Sequence, residues 1–221
     1  MVGEAVAEFE GFPAEALIFY EGLEADNSKV YWTDHRDLYE KAVRGPMLAL
    51  LTALAPEFGD PHLFRPHRDV RFSRDKSPYK TAIGAYITGG GYVQVSANGL
   101  MVASGYWQTA SDQVERLRAA VADDVTGPKL EAVVEQLRAS GYEISGNRLK
   151  TRPRGYDADH PRIELLRHRT LTVHREFGEP TWLAEAACAE RVAAAWREMR
   201  LLRDWLDRHV GPTRLPETRR R

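Results

Sequence analysis

Residues 82–106 hold three apolar runs, 82–88, 92–97 and 100–106, joined only by Gly89-Gly90-Gly91 and by Asn98-Gly99. Connections this short cannot carry the chain across a sheet to a parallel neighbour, so successive runs must pair antiparallel. Asn98-Gly99 predicts a two-residue type I′ turn, which needs positive φ at both central positions. The three glycines read as a flexible turn and not as a phosphate loop. Residues 65–73 form a further strand candidate, closed by the turn signal Lys76-Ser77-Pro78. The centre of the chain is therefore a β-meander.

Helical patterns flank it. Pro13 to Glu24 reads as a short helix with Leu17, Ile18 and Phe19 partly buried. A longer pattern starts after Asn27 or Ser28, either a suitable N-cap, and places Trp32, His35 and Tyr39 on one face. Gly45-Pro46 interrupts it, and Met47 to Leu54 resumes before Pro56. Helices follow near 110–124, capped by Thr109 or Ser111, and near 127–140, with Leu130, Val133, Val134 and Leu137 on one face. After an irregular basic stretch, Gly146 to Pro161, a strand from Leu171 to His174 rejoins the sheet. A last helix, about 182–209, aligns Val192, Trp196, Met199, Leu202 and Leu206. The expected class is α+β, an antiparallel β-meander sheet packed with N-terminal, middle and long C-terminal helices. One domain over 1–221 is expected, with a core at about 9–210 and a frayed tail over 211–221.

The 43% apolar and 29% charged composition is that of a globular chain. No window approaches the apolar length of a membrane span, and Met1 to Glu10 lacks the basic-then-apolar pattern of a secretory signal. The lone cysteine, Cys188, excludes an intramolecular disulfide and reads as a core residue. No membrane association and a cytoplasmic location are the expectations.

Charge is distributed unevenly. Arg65, Arg68, Arg71, Arg74, Lys76 and Lys80 against Asp69 and Asp75 leave +4 on residues 65–80 of a chain whose formal net charge is −1. Such a patch suits an anionic ligand. If 65–73 is extended, Val70 and Phe72 point to the core, and Arg65, His67, Asp69, Arg71 and Ser73 line the other face. Arginine's planar donors match oxyanions. Asp69 would orient its arginine neighbours, act as a base or ligate a cation. Ser73, Ser77 and Tyr79 add hydroxyl donors.

A second basic cluster runs from Arg148 to Pro161 and includes Lys150, Arg152, Arg154, Tyr156 and Asp159. Asp159-His160-Pro161 reads in two ways. Asp159 caps a helix with Pro161 at its first position, or His160, with a reference pKa of about 6.5, serves as general acid/base. Familiar templates fail. His67-Arg68-Asp69 copies three letters of a kinase catalytic loop, but Arg74 stands where the metal-binding Asn belongs. Phosphate-loop, dinucleotide and zinc spacings are missing, so the residues indicate no metal and leave any cofactor unknown.

Residues 68–80 and 150–161, together with Gly91-Tyr92, Gly105 to Trp107 and Asp26-Asn27 through Trp32 to Tyr39, resemble the domain of unknown function 2461 family. The resemblance covers nearly the whole chain. It differs at Asp26, where an Asn is frequent in the family, and at Thr33, where an aromatic is usual. It implies a single α+β domain in which both basic motifs and Trp107 belong to one pattern, and it supplies no activity. The leading expectation is an enzyme or binding protein for a phosphorylated or otherwise anionic small molecule. Arg65, Arg68, Arg71, Lys76, Lys80, Arg152 and Arg154 would hold the anion. Tyr79, Tyr92 or Trp107 would contact its organic part, with Ser73 and Asp159 completing the set and Asp69 and His160 as acid/base pair. The alternatives are nucleic-acid binding through the same arginines with aromatic stacking, against which the pI of about 6.7 weighs, and an Arg–Asp network that serves structure alone.

Overall fold

A computed structural model describes residues 8–71 and 73–216. Helices α1 (Ala14–Ala25), α2 (Lys29–Asp34) and α3 (Arg36–Leu38) lead through a π-helical turn, Tyr39–Arg44, into α4 (Gly45–Phe58). Strands β1 (Pro61–Leu63), β2 (Ala82–Ile87), β3 (Tyr92–Ser96) and β4 (Gly99–Tyr106) follow. Next come α5 (Ser111–Ala122), α6 (Thr126–Ala139), β5 (Glu143–Ser145), α7 (Ile163–Leu166), β6 (Leu171–Gly178) and α8 (Ala187–His209). The six strands form one antiparallel sheet in the order β1-β2-β3-β4-β6-β5. The class is α+β, as the alternation of meander and helices requires. Among the described residues no helix is long and apolar enough to cross a membrane.

By internal packing the chain divides into two compact units. One comprises the chain up to Val102 with Glu176–Trp196, and the other Ala103–Arg175 with the chain from Arg197 onward. In the first unit β2 and β3 pair Ile83 with Val95 and Ala85 with Val93, and this apolar face is buried. α1 packs against β3 and α4 against β2, contributing Phe19, Leu23, Leu50, Leu54 and Phe58 to the core. In the second unit Leu117, Val121, Leu130, Val134, Leu137, Leu166 and Val173 are buried.

Several local expectations give way to tertiary contacts. The described residues of 65–73 form no strand, and His67 among them makes an isolated bridge to Tyr79. Arg65, His67, Asp69, Arg71 and Ser73 therefore do not line a sheet face, and Phe72, the expected core partner of Val70, lies outside the described residues. The helix after Ser28 breaks at His35 (φ −108°, ψ 14°). His35 consequently stacks on Tyr31 at 4.0 Å while Trp32 meets Tyr39 at 4.7 Å. Ser28 is the cap, accepting the Tyr31 amide at 3.1 Å. Gly45-Pro46 does not interrupt the helical path: Arg44 and Gly45 keep right-handed helical backbone, and the π-helical turn runs directly into α4. Pro56 lies inside that helix and does not end it.

No non-glycine described residue has positive φ, so the β3–β4 connection is not a type I′ turn. Ala97 and Asn98 form the turn, and Gly99 takes the left-handed conformation at φ +87°. The glycine run is packed, not loose. The Gly89 amide donates to Phe58 O at 2.7 Å, and a Cβ on Gly90 would lie 2.6 Å from the Trp196 ring. Ala110 precedes α5, with Gln113 Oε1 accepting its amide, while Thr109 Oγ1 donates elsewhere, to Arg169 O. Asp159 caps nothing, because α7 begins at Ile163 after Arg162. Of the tail, Thr213 and Arg214 bond to Asp112, and residues 217–221 lie outside the described set.

Candidate functional site

The first basic motif is pinned at its base. The Arg68 amide donates to Pro78 O at 2.9 Å and the Lys80 amide to Pro66 O at 2.8 Å, closing the loop 68–78. Asn27 then clamps the far side. Its Nδ2 donates to Tyr79 O at 3.1 Å, and its Oδ1 accepts the Tyr79 amide at 3.0 Å, as a neighbouring strand would. Trp32 stacks flat on the Tyr79 ring, 4.4 Å apart and 7° from parallel. Tyr79 is thus buried between an amide clamp and an indole, which fixes where Lys80 emerges.

Inside the loop the charges largely satisfy one another. Arg71 binds Asp69 with both arms, Nε to Oδ1 at 2.9 Å and Nη2 to Oδ2 at 2.7 Å. The bidentate bond holds the Asp69 carboxyl down at about 2. Asp75 accepts the Ser77 amide, the Ser77 hydroxyl and the Arg68 guanidinium, which keep it ionised well below the ordinary carboxylate range. Lys76 donates to Val70 O at 3.0 Å. Asp69 is therefore unsuited to proton abstraction, its oxygens being engaged and its basicity low.

Lys80 and Arg65 differ from these. Neither side chain meets a hydrogen-bond or ion-pair partner among the described residues. The Lys80 ammonium lies 5.3 Å from the Phe64 ring centroid. Partial burial, then the charge of Arg65, holds it below its usual pKa. It lines a cleft of about 470 Å³ with Phe64, Arg68, Tyr79, Ala82, Tyr92 and Gln94. The floor is the polar face of β2 and β3, on which Gly84 opposes Gln94. The hollow exists because Ala82 and Gly84 are small. A Cβ on Gly84 would collide with the Tyr92 hydroxyl, which leans across it and donates to Gln94 Oε1 at 2.8 Å. An isolated glycine within a strand pattern signals such a close approach, and could have marked this position in the sequence.

The remaining candidates sit in the second unit, in a separately braced segment. Arg148 bridges His168 and lies 3.7 Å from Glu164. Arg167 Nε donates to Leu149 O at 2.9 Å and Nη2 to Lys150 O at 2.7 Å. Arg152 Nη1 donates to Tyr156 O at 2.7 Å, while Arg154 and Asp159 are exposed. His160 Nδ1 accepts the Arg162 amide at 3.0 Å, so its neutral form carries the proton on Nε2 and has no lone pair left for a general base. Arg162, not singled out by sequence, is the buried one. Its guanidinium donates to Val121 O and Ala122 O at the end of α5 and pairs with Asp124 at 3.0 Å. Trp107 lines a different cleft from that of Lys80, bounded by second-unit residues only.

A family model described as conserved hypothetical protein (DUF2461) matches residues 15–205. No curated protein and no solved structure matches the chain.

Proposed function

The chain belongs to the conserved hypothetical protein family DUF2461, and from that premise we propose that the cleft around Lys80 binds a small anionic molecule, phosphorylated or carboxylated, with an apolar or flat body. The observation that carries this reading is the Lys80 ammonium, unpaired and partly desolvated beside the positive charge of Arg65. Two like charges held together lose free energy when an anion sits between them. Phe64 and Tyr92 offer ring surface to the organic part, and Gln94 offers an amide. The cleft falls within the usual ligand-site range of about 300–1,000 Å³. Arg71 and Asp69 take the structural role of tying the loop, and no proton-transfer role is assigned to Asp69 or His160.

The test is a thermal-shift panel of inorganic phosphate, sugar phosphates, carboxylates and short RNA at low and moderate salt. A compound at about 100 times its dissociation constant adds about 2.7 kcal/mol, or about 5–11 °C for a chain of this size. The shift is expected to vanish in Lys80→Met and to persist in Arg71→Ala and Trp107→Ala. Equal shifts in Lys80→Met, or none from any small anion, overturn the proposal. Shifts from RNA alone that disappear with salt would favour a nucleic-acid surface instead.

A further inference from the structure

Trp107 is 65% exposed, in contrast to Trp196 and Trp205, which are buried at 1% and 6%. It stands at the end of β4 and lines a cleft of about 540 Å³ with Gln108, Thr109, Gln113, Asn147, Arg169 and Thr170. The backbone around this cleft is braced from three directions. Thr109 Oγ1 donates to Arg169 O at 2.7 Å, the Arg169 amide donates to Asn147 O at 2.7 Å, and the Asn147 amide donates to Thr170 Oγ1 at 2.7 Å. Gly105, at φ +107°, lets β4 pass against Leu171 O, where a Cβ would stand 2.6 Å away.

On this rigid rim the functional groups themselves are unengaged. Among the described residues the Trp107 indole has no ring partner, and the Arg169 guanidinium and the side-chain amides of Gln108 and Asn147 have no hydrogen-bond or ion-pair partner. Arg118 donates Nε to Leu166 O and is held below the ordinary arginine pKa, by burial first and with the charge of Arg169 contributing. Arg169 therefore has a second cation for company. An exposed indole costs free energy in water, and a free guanidinium beside another cation does too. One ligand relieves both if it is planar, edged with donors and acceptors, and anionic.

We propose that this cleft is a nucleotide site. The base stacks on Trp107, the amides of Gln108 and Asn147 meet its edge, and Arg169 takes the phosphate. Base–aromatic stacking is indifferent to base identity, so the site is expected to accept purines and pyrimidines alike. It is independent of the Lys80 cleft, since no residue is shared between the two linings.

The experiment titrates the full chain with adenosine 5′-monophosphate and with pentaadenylate, following tryptophan fluorescence. Saturable quenching is expected, because the stacked indole is the most exposed one. Trp107→Ala should weaken binding at least 10-fold by calorimetry, Trp107→Phe should restore most of it, and Arg169→Gln should weaken it about 10-fold. Lys80→Met should bind as the wild type does, which separates this site from the anion cleft. Equal affinity for the two probes assigns the site to free nucleotides; tighter, salt-sensitive binding of the pentamer assigns it to a single strand. No quenching by either probe, or unchanged calorimetric affinity in Trp107→Ala, overturns the proposal.

Discussion

Replacing Asn27 by Ala should cost far more than an ordinary half-buried amide would. The side chain makes both of its hydrogen bonds to the backbone of Tyr79, at 3.1 and 3.0 Å, across 52 residues of sequence. Tyr79 is only 5% exposed. Truncation leaves an amide and a carbonyl without partners, and each such group costs about 1–3 kcal/mol when buried. Water entering the vacated volume offsets part of this, which places the total near 2–3 kcal/mol. Loosening Tyr79 also weakens its stack on Trp32, a contact of about 0.5–1.5 kcal/mol. With about 2–4 °C per kcal/mol for a chain of this length, Tm should fall by about 4–12 °C. Urea unfolding followed by circular dichroism should show a lower midpoint at unchanged m. The neighbouring cap provides the yardstick. Ser28→Ala removes one hydrogen bond, to the Tyr31 amide, and should cost about 1 kcal/mol. If Asn27→Ala costs no more than Ser28→Ala, the clamp is not what holds the motif, and the placement of Lys80 needs another cause.

Cys188 is fully buried and its thiol is pushed up to about 12 by burial; Ellman's reagent at pH 8 should find no thiol in the native protein and one after denaturation, and native labelling would contradict the packing. Gly90→Ala drives a Cβ into Trp196 and should lower stability by about 1–3 kcal/mol, with a changed near-ultraviolet spectrum; a Tm within 1 °C of wild type would show that the ring gives way freely. Burial holds the His168 imidazole below its usual 6.5. Above that pH both states are neutral and nothing is at stake. Below about pH 6.5 the unfolded chain takes up the proton first, so stability falls as pH drops. His168→Asn should flatten the slope of Tm between pH 6.5 and 5, and an unaltered slope would assign it to other groups.

Elements whose apolar period repeats over several turns, or whose strands are joined by tight turns, were legible from composition and period. The α6 stripe of Leu130, Val134 and Leu137 is buried at 0–2%, and Val192, Trp196, Met199, Leu202 and Leu206 of α8 at 0–1%. The meander boundaries fall within a residue or two of the turn signals. The basic motif was recognised as a unit but not as a shape. Alternation over 65–73 suggested a strand, yet Arg71 turns back on Asp69 two residues away, and Arg68 reaches Asp75. Local ion pairs compete with a ladder when no facing strand is present to reward extension. Gly84, which shapes the first cleft, carried only a weak signal, a single small residue within an apolar run, and Arg169 follows Arg167 and His168 outside the two motifs that stood out.

What the amino-acid sequence determined by itself was the α+β class, the antiparallel order of the central strands, and the segments in which charge and aromatic surface collect. These follow from turn length, from side-chain period and from composition, all of which act over a few residues. Only the tertiary structure decided which cations remain unpaired. Lys80 is left without a carboxylate while Arg71 has one, and Trp107 stands in water while Trp196 is enclosed. The reason is that pairing and burial depend on distances between residues far apart in the chain. Asn27 and Tyr79, or Thr109 and Arg169, become neighbours only after the strands and helices between them have found their places.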